Sequence, residues 1–592
     1  MGFLSYLGAF SAALLVVNAA PFPLSSDNVP RQVSTIPITG VKGSGVQVRR
    51  EIGELSTDPV AWDIFILGLN RFMSMDPKDP MSYHQLAGIH GSTFGDWDGV
   101  GKCATCSSGS IYCTHGNTLF PTWHRPYLAA FEQSLQINAL AVANEFTGAD
   151  KAKYVEAAQN LRLPYWDWAT EPSVGTQVFP DYFDNQNVTV RTGNGTQVVH
   201  NPLWAYKFPN EPTLPAPWNT PQTRRSSRSQ NQEEMGFMLS GLKSTVYQLF
   251  SQEQNYNNFS TTMFQGGGAG SYNSIENPHN TIHSVIGGSG HLSSVPVAGF
   301  DPLFWLHHCN VDRQFALWQA INPTAEFTTV TELTGSWTFP ANTVVDKDFP
   351  LSPFHTGSAG EDHTSANSWD WRVLGYTYPE LTEGFTIESV KTAINKLYAP
   401  PTTVPEARRR NVAAIEARAT ANATSNTYNE YSINLKAPLN AVGGTFGVFV
   451  FDGSVPSTPA TTVSRALIKS STFMGFHSFL SNALTSSDSS ALVTGTIPIT
   501  QHLLRDVAEG ELASMEPADV EAYLRGKLQW TVVKRDGTVV PAEDVEGLVV
   551  SVATAVVERA GSDAELPRWG VARVLVGATE EKVNGLRRVT QV

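Results

Sequence analysis

Cysteine is nearly absent, with four in 592 residues, too few for a disulfide scaffold to stand in for a packed core. An excess of positive charge is missing as well. Acidic residues outnumber basic ones 54 to 40, for a formal net charge of −14. The only basic clusters, RRSSR at 224–228 and the arginines at 408–410, are too short to make a patch for nucleic acid. Beyond residue 20 no apolar run is long enough to span a bilayer. No internal repeat is detectable, apart from a rough equivalence between two sets of histidines.

The chain is long enough for two or three domains, and its 41% hydrophobic content fits a globular protein. Residues 3–20, FLSYLGAFSAALLVVNAA, end in small residues. They read as a secretory signal cleaved after Ala19 or Ala20, although the stretch lacks a basic start. The alternative is a membrane anchor. A secreted protein without membrane attachment after signal removal is expected. Asn-x-Ser/Thr triplets at Asn187, Asn194, Asn258 and Asn422 are compatible with that.

Five of the 14 histidines fall between residues 275 and 318, and they are not scattered. Pro278 suits a first helical turn, so His279 and His283, four apart, share one helix face. Asp301 and Pro302 open a second helix as N-cap and first residue, one turn before His307 and His308. There Phe304, His308, Asp312 and Phe315 form a stripe and His307 points elsewhere. A second set lies upstream. His115 and His124 are nine residues apart with Pro121 between them, which puts His115 in a loop and His124 at the start of a helix led by Pro126. His90 in IHG is the third candidate. A single buried histidine is usually structural, and His84, with no partner at ligand spacing, is read that way.

Two sets of three imidazoles with no carboxylate ligand exclude a di-iron carboxylate site, which needs Glu-x-x-His pairs. They also exceed the single set a catalytic zinc uses. Imidazole suits copper, and two such coppers facing each other can bind dioxygen between them.

These motifs, GIHG at 88–91, CTHGNTLFPTWHRPYLAAFEQ at 113–133, ENPHNTIH at 276–283, FDPLFWLHHCNVDR at 300–313 and YTYPEL at 376–381, resemble those of the fungal tyrosinases (polyphenol oxidases) of the type-3 copper family. The resemblance covers roughly residues 36–381 well and the remainder more loosely. It implies two copper ions, one on His90, His115 and His124, the other on His279, His283 and His308. It implies a thioether from Cys113 to His115, and a monophenol-activating role for Glu276 and Asn280, which could hold a water as base. The bland alternative has Glu276 capping its helix and Asn280 exposed. Val295 matches a family position over the second copper, where a small side chain leaves room for a ring. Cys103 and Cys106 form either a short disulfide or two loop thiols, and Cys309 reads as a core residue behind His308.

The expected architecture is a mainly α catalytic core, a helix bundle holding a dicopper site, followed by a mostly β C-terminal domain. The expected boundaries are a signal at 1–20, a catalytic domain at 34–381, a linker at 382–427 with a basic processing site at 408–410, and a shielding domain at 428–592. ITGVKG at 38–43 reads as a first strand, 233–251 as a helix, and LPYWDWA at 163–169 as packing beneath the histidine helices. In the tail, strand-like runs carry Asp452–Gly453 and Asp536–Gly537 as turn signals. Phe473, Phe476 and Phe479 offer rings that could cover a pocket, or are ordinary core. The implied function is oxidation of phenols by dioxygen, both hydroxylation of monophenols and oxidation of o-diphenols to o-quinones. The alternatives are a catechol or o-aminophenol oxidase with little monophenolase activity, and an oxygen carrier.

Overall fold

All 20 residues of the helix Pro302–Ile321 are buried, and the N-terminal half of the molecule is built around it. Asp301 caps its start, its Oδ1 accepting from the Leu303 N–H at 3.0 Å, with Pro302 in the first turn. The computed structural model describes residues 35–587 apart from 92–94, 173–174, 176, 211–213, 265–271, 401–425, 458–462 and 482–490. The expected signal at 1–20, Asn422 and the arginines at 408–410 therefore lie outside the described residues. Among those described, no helix is long and apolar enough to cross a membrane.

The helices Phe120–Ala143 and Glu276–Gly287 pack against the central helix, with Pro59–Met73 against the first of them and Arg228–Gln252 against the second. The Phe120–Ala143 helix starts six residues earlier than Pro126 suggested: Pro121 falls in its first turn and Pro126 is inside it. Proline is tolerated at a helix start because the missing N–H would be unpaired there anyway. Trp166 N–H donates to the Leu306 carbonyl at 3.2 Å and the Trp168 ring lies 5.9 Å from His307. LPYWDWA thus packs against the central helix.

A buried ionic network locks these helices together. Arg49 reaches Glu132 (2.9 Å) and Asp312 (3.2 Å), and Arg125 reaches Asp312 (2.7 Å). The Tyr376 and Tyr378 hydroxyls donate to Asp312, each at 2.6 Å. Burial alone would raise the Asp312 carboxyl, but the two guanidiniums outweigh it and hold it below the ordinary range. Removing one partner from such a network typically costs about 3–5 kcal/mol. YTYPEL closes the core by this network and by a parallel pairing of Tyr376–Thr377 with Gln47–Val48. ITGVKG itself is not a strand; Ile38 N–H donates to the His355 carbonyl beside an isolated bridge at Pro37.

The segment after residue 382 does not begin as linker. The helix Ile387–Tyr398 buries Val390, Ile394 and Tyr398 in the main core. The tail that follows is a sandwich of two antiparallel sheets around its own core. One runs Phe473–Phe479, Phe446–Phe451, Gln529–Lys534, Val539–Val540; the other runs Leu492–Pro498, Thr427–Pro438, Val549–Glu558, Arg568–Trp569. Gly537 (φ +88°) makes a tight hairpin turn. Asp452–Gly453 does not, because Phe446–Phe451 pairs with Phe473–Phe479 across a long connection that contains the helix Val463–Ile468.

Tail and core form one compact unit, Thr35–Val592. The tail strand Leu492–Pro498 adds onto the core segment 262–264: Thr494 N–H donates to the Thr262 carbonyl and Phe264 N–H to the Leu492 carbonyl, both at 2.7 Å.

Candidate metal centre

Six histidines converge from separate elements. His90 sits at the end of Tyr83–Ile89, His115 in the loop before Phe120–Ala143, and His124 in that helix. His279 and His283 project from one face of Glu276–Gly287, and His308 from Pro302–Ile321. His115 is half-buried and the other five are buried.

The second set is tight. The Nε2 atoms of His279 and His283 lie 3.0 Å apart, and each is 3.2 Å from His308 Nε2. His283 Nδ1 is 2.6 Å from the Leu292 carbonyl, and His279 Nδ1 is 2.9 Å from Asn280 Oδ1. A carbonyl oxygen only accepts, so the ring protons of His279 and His283 sit on Nδ1 and their Nε2 lone pairs face each other and His308 Nε2. Bare lone pairs at that spacing call for a shared cation. Three nitrogens about 2.0–2.1 Å from a tetrahedral metal would stand roughly 3.3 Å apart.

The first set is looser. His90 Nδ1–H donates to the Val295 carbonyl (2.8 Å) and His124 Nδ1–H to the Phe120 carbonyl (2.7 Å). This leaves the buried Nε2 atoms of His90, His115 and His124 without hydrogen-bond partners. The ring centroids are 5.3, 5.6 and 5.8 Å apart. Backbone carbonyls that fix the outer ring nitrogen are the usual second layer of a metal site. The two sets face each other, with His124 stacked on His308 at 4.5 Å and His115 on His279 at 5.6 Å. Burial drives all six imidazoles towards neutral, His124 down to about 3, His283 to about 4 and the rest well below the ordinary value. Neutral, all-imidazole donors fit copper, and no carboxylate joins either set among the described residues. Phe120 and Phe304 wall the cluster, 4.8 Å from His279 and 4.1 Å from His308.

His307 does not point away as its position on the helix suggested. Its ring lies parallel to His279 at 5.0 Å and edge-on to His283 at 4.8 Å, and one of its ring nitrogens falls within 4.8 Å of the second set's donor atoms. His84 packs apart, against Tyr206 and Phe300.

Glu276 neither caps its helix nor reaches a histidine nitrogen. Its Oε1 accepts from Gly116 N–H (2.8 Å), and its Oε2 accepts from Thr262 N–H (2.6 Å), Thr262 Oγ1 (2.9 Å) and Thr261 Oγ1 (3.2 Å). Burial raises its carboxyl despite these four donors. Asn280 is buried, not exposed, and orients His279. Val295 holds His90 through its carbonyl, so its backbone contact is with the first set. Cys113 Sγ lies 3.3 Å from His115 Nδ1, while Cys103 and Cys106 form a disulfide. Cys309 is buried and its thiol donates to the Leu163 carbonyl.

A cavity of about 270 Å³ reaches the first set, lined by Cys113, His115, Val295, Thr334, Phe339 and, from the tail, Leu480. That is close to the lower end of small-ligand pockets, about 300 Å³. A larger cavity of about 380 Å³ lies in the seam between core and tail and touches none of the six histidines. Phe473 and Phe476 pack on Phe449, and Phe479 stacks on Phe446 at 4.9 Å. None of these three rings lines the smaller cavity.

Two family matches cover most of this architecture: the common central domain of tyrosinase at residues 80–321 and the tyrosinase C-terminal domain at 430–552. The chain is 30% identical to a tyrosinase of Neurospora crassa, over 89% of this chain and 94% of the relative. It is 31% identical to a tyrosinase of Podospora anserina, over 82% and 97% respectively. Among solved structures, one of latent and active mushroom tyrosinase superimposes with a TM-score of 0.76 at 26% identity, covering 91% of this chain and 98% of that one.

Proposed function

We propose, since the chain belongs to the tyrosinase family, that this type-3 copper oxidase hydroxylates monophenols as well as oxidising o-diphenols to o-quinones. The family uses phenols and dioxygen and carries a dicopper centre. Here His90, His115 and His124 would hold one copper and His279, His283 and His308 the other. The observation that carries this reading is the set of bare Nε2 atoms, three facing one point at 3.0–3.2 Å and three more buried without partners. When bound, the copper pair supplies the reduction of dioxygen and takes electrons from the phenol.

The chain's own groups do the rest. Carbonyls of Val295, Phe120 and Leu292 and the amide of Asn280 hold four outer ring protons, which fixes the orientation of those imidazoles. The cavity beside Val295 is the place for the phenol ring, and the small valine leaves it room. A monophenol must lose its proton on arrival, and Glu276 with Asn280, through a held water, is the proposed acceptor. A second reading of Glu276 is favoured by its four donors: it anchors the loop of His115 instead. A catechol oxidase with little monophenolase activity is the corresponding alternative for the enzyme.

We also take the tail as a shield that makes the intact chain latent, with Leu480 in the position to block the cavity. The chain is proposed to be secreted, with cleavage near 408–410 releasing the tail, and to bind neither nucleic acid nor membrane. Oxygen uptake with a monophenol and with an o-diphenol, before and after removal of the tail, tests the proposal. Activity on both substrates, rising on tail release, is expected. Uptake with the o-diphenol alone would leave the catechol oxidase, and none with either would refute the reading.

A further inference from the structure

The loop that carries His115 has no secondary structure of its own between the Cys113 region and the helix at Phe120, so its backbone groups must find partners elsewhere. Glu276 takes Gly116 N–H on one side. On the other stands a small hairpin, Val330–Glu332 with Thr343–Val345, which falls beyond the matched central domain at 80–321. The fully buried Glu332 carboxylate accepts from Thr118 N–H at 2.9 Å and from the Thr118 hydroxyl, both through Oε1. Just past the strand, the Thr334 hydroxyl donates to the carbonyls of Gly116 (3.0 Å) and His115 (3.4 Å). The far end of the same hairpin grips the preceding stretch, with Trp337 N–H on the Ile111 carbonyl at 2.7 Å.

We propose that Glu332 is a positioning residue for the first metal set: by fixing Thr118, three residues after His115, it sets where that imidazole stands relative to His90 and His124. The inference rests on the dicopper reading of those histidines. Glu332 touches neither histidine nor cavity, so its effect runs through the backbone of the loop. The need for it is specific to this ligand. His90, His124, His279, His283 and His308 all stand on or directly after helices, whereas His115 alone depends on side chains from distant segments to hold its backbone.

The two oxygens of Glu332 are not equivalent. Oε1 takes both Thr118 donors, while Oε2 is buried without a hydrogen-bond partner. A glutamine can therefore keep the working contact with its amide oxygen, and an alanine cannot.

The experiment compares wild type, Glu332→Gln and Glu332→Ala in two measurements. Amide exchange of the 114–119 peptide is followed in the metal-free full chain, and binding of the two coppers is titrated. In Glu332→Ala the loop amides should exchange faster and one of the two coppers should bind about 10–100-fold more weakly, the loss usual when a supporting contact is removed. The other copper should be unchanged, and Glu332→Gln should behave as wild type in both assays. Unchanged exchange and two equally tight coppers in Glu332→Ala would overturn the proposal, as would Glu332→Gln failing as badly as alanine. If the alanine chain does not fold, Glu332→Met, which keeps the volume and loses the acceptor, is read in its place. Should wild type bind no copper pair, the dicopper reading falls, while the exchange comparison still decides what Glu332 does to the loop.

Discussion

Replacing Glu276 by glutamine is the perturbation whose outcome the geometry fixes most sharply. Oε1 accepts from the Gly116 N–H and Oε2 from the Thr262 N–H. Backbone N–H groups cannot turn into acceptors. Whichever way the glutamine amide is placed, its NH₂ meets one of them, although the hydroxyls of Thr261 and Thr262 can rotate to accommodate it. A hydrogen bond to a charged group is worth about 1.5–3 kcal/mol, and an unpaired buried donor costs about 1–3 kcal/mol. Burial already disfavours the ionised carboxylate, so part of this is returned when the charge is removed. A net loss of about 3 kcal/mol is expected, and at roughly 2 °C per kcal/mol for a large domain this lowers Tm by about 6 °C. Calorimetry of the metal-free chain reads it directly. A variant melting within 1 °C of wild type would refute the donor conflict. The same variant then separates the two readings of the residue. General-base assistance predicts a loss of about 10²-fold or more on monophenols over that on o-diphenols. Equal losses on both substrates would leave Glu276 as an anchor of the His115 loop.

Glu332 should answer the same substitution differently. Burial, reinforced by the charge of Glu276, raises its carboxyl to about 7. A carboxyl raised in the folded state stabilises while protonated and loses that contribution as pH rises through about 7. Glu332→Gln has no such loss, so its Tm relative to wild type should climb between pH 5 and pH 8, by an equivalent on the order of 3 kcal/mol at most; a flat difference contradicts this. With Cys113 Sγ 3.3 Å from the His115 ring, peptide mapping of copper-loaded protein should find the two residues cross-linked and lighter by two hydrogens. Separate, unmodified peptides would remove the thioether. Leu480→Ala should raise the o-diphenol activity of the intact chain, because Leu480 and none of the three nearby phenylalanines lines the cavity; an intact variant as latent as wild type would move the block elsewhere.

What the sequence made legible followed local periodicity. His279 and His283 at helical spacing, Asp301–Pro302 as a helix start, and the strand-like runs of the tail all depend on near neighbours in the chain, and each stands in the structure as read. The start of the His124 helix was misplaced because Pro121 and Pro126 are both acceptable near a helix N-terminus, and only tertiary packing decides between them. Helix Ile387–Tyr398 was hidden in a stretch read as linker, although its buried Val390, Ile394 and Tyr398 recur at helical spacing. The braces on His115 could not be read at all. Glu276 and Glu332 reach its loop from 160 and 214 residues away, and no local pattern marks a carboxylate that serves another segment's backbone. The burial of Asn280 and the stacking of His307 on His279 likewise depend on which helix packs opposite.

The central claim is that six named histidines form two three-imidazole copper sites, and metal analysis of purified, copper-loaded protein tests it most directly. Wild type should carry two coppers per chain, one for each set of three bare Nε2 atoms. His283→Ala and His308→Ala should each lose at least the copper of the tight set, whereas His84→Ala, altered away from both sets, should keep the full complement and lose only stability. A wild-type chain holding a single metal, or a His283→Ala chain that still binds the full pair, would contradict the account.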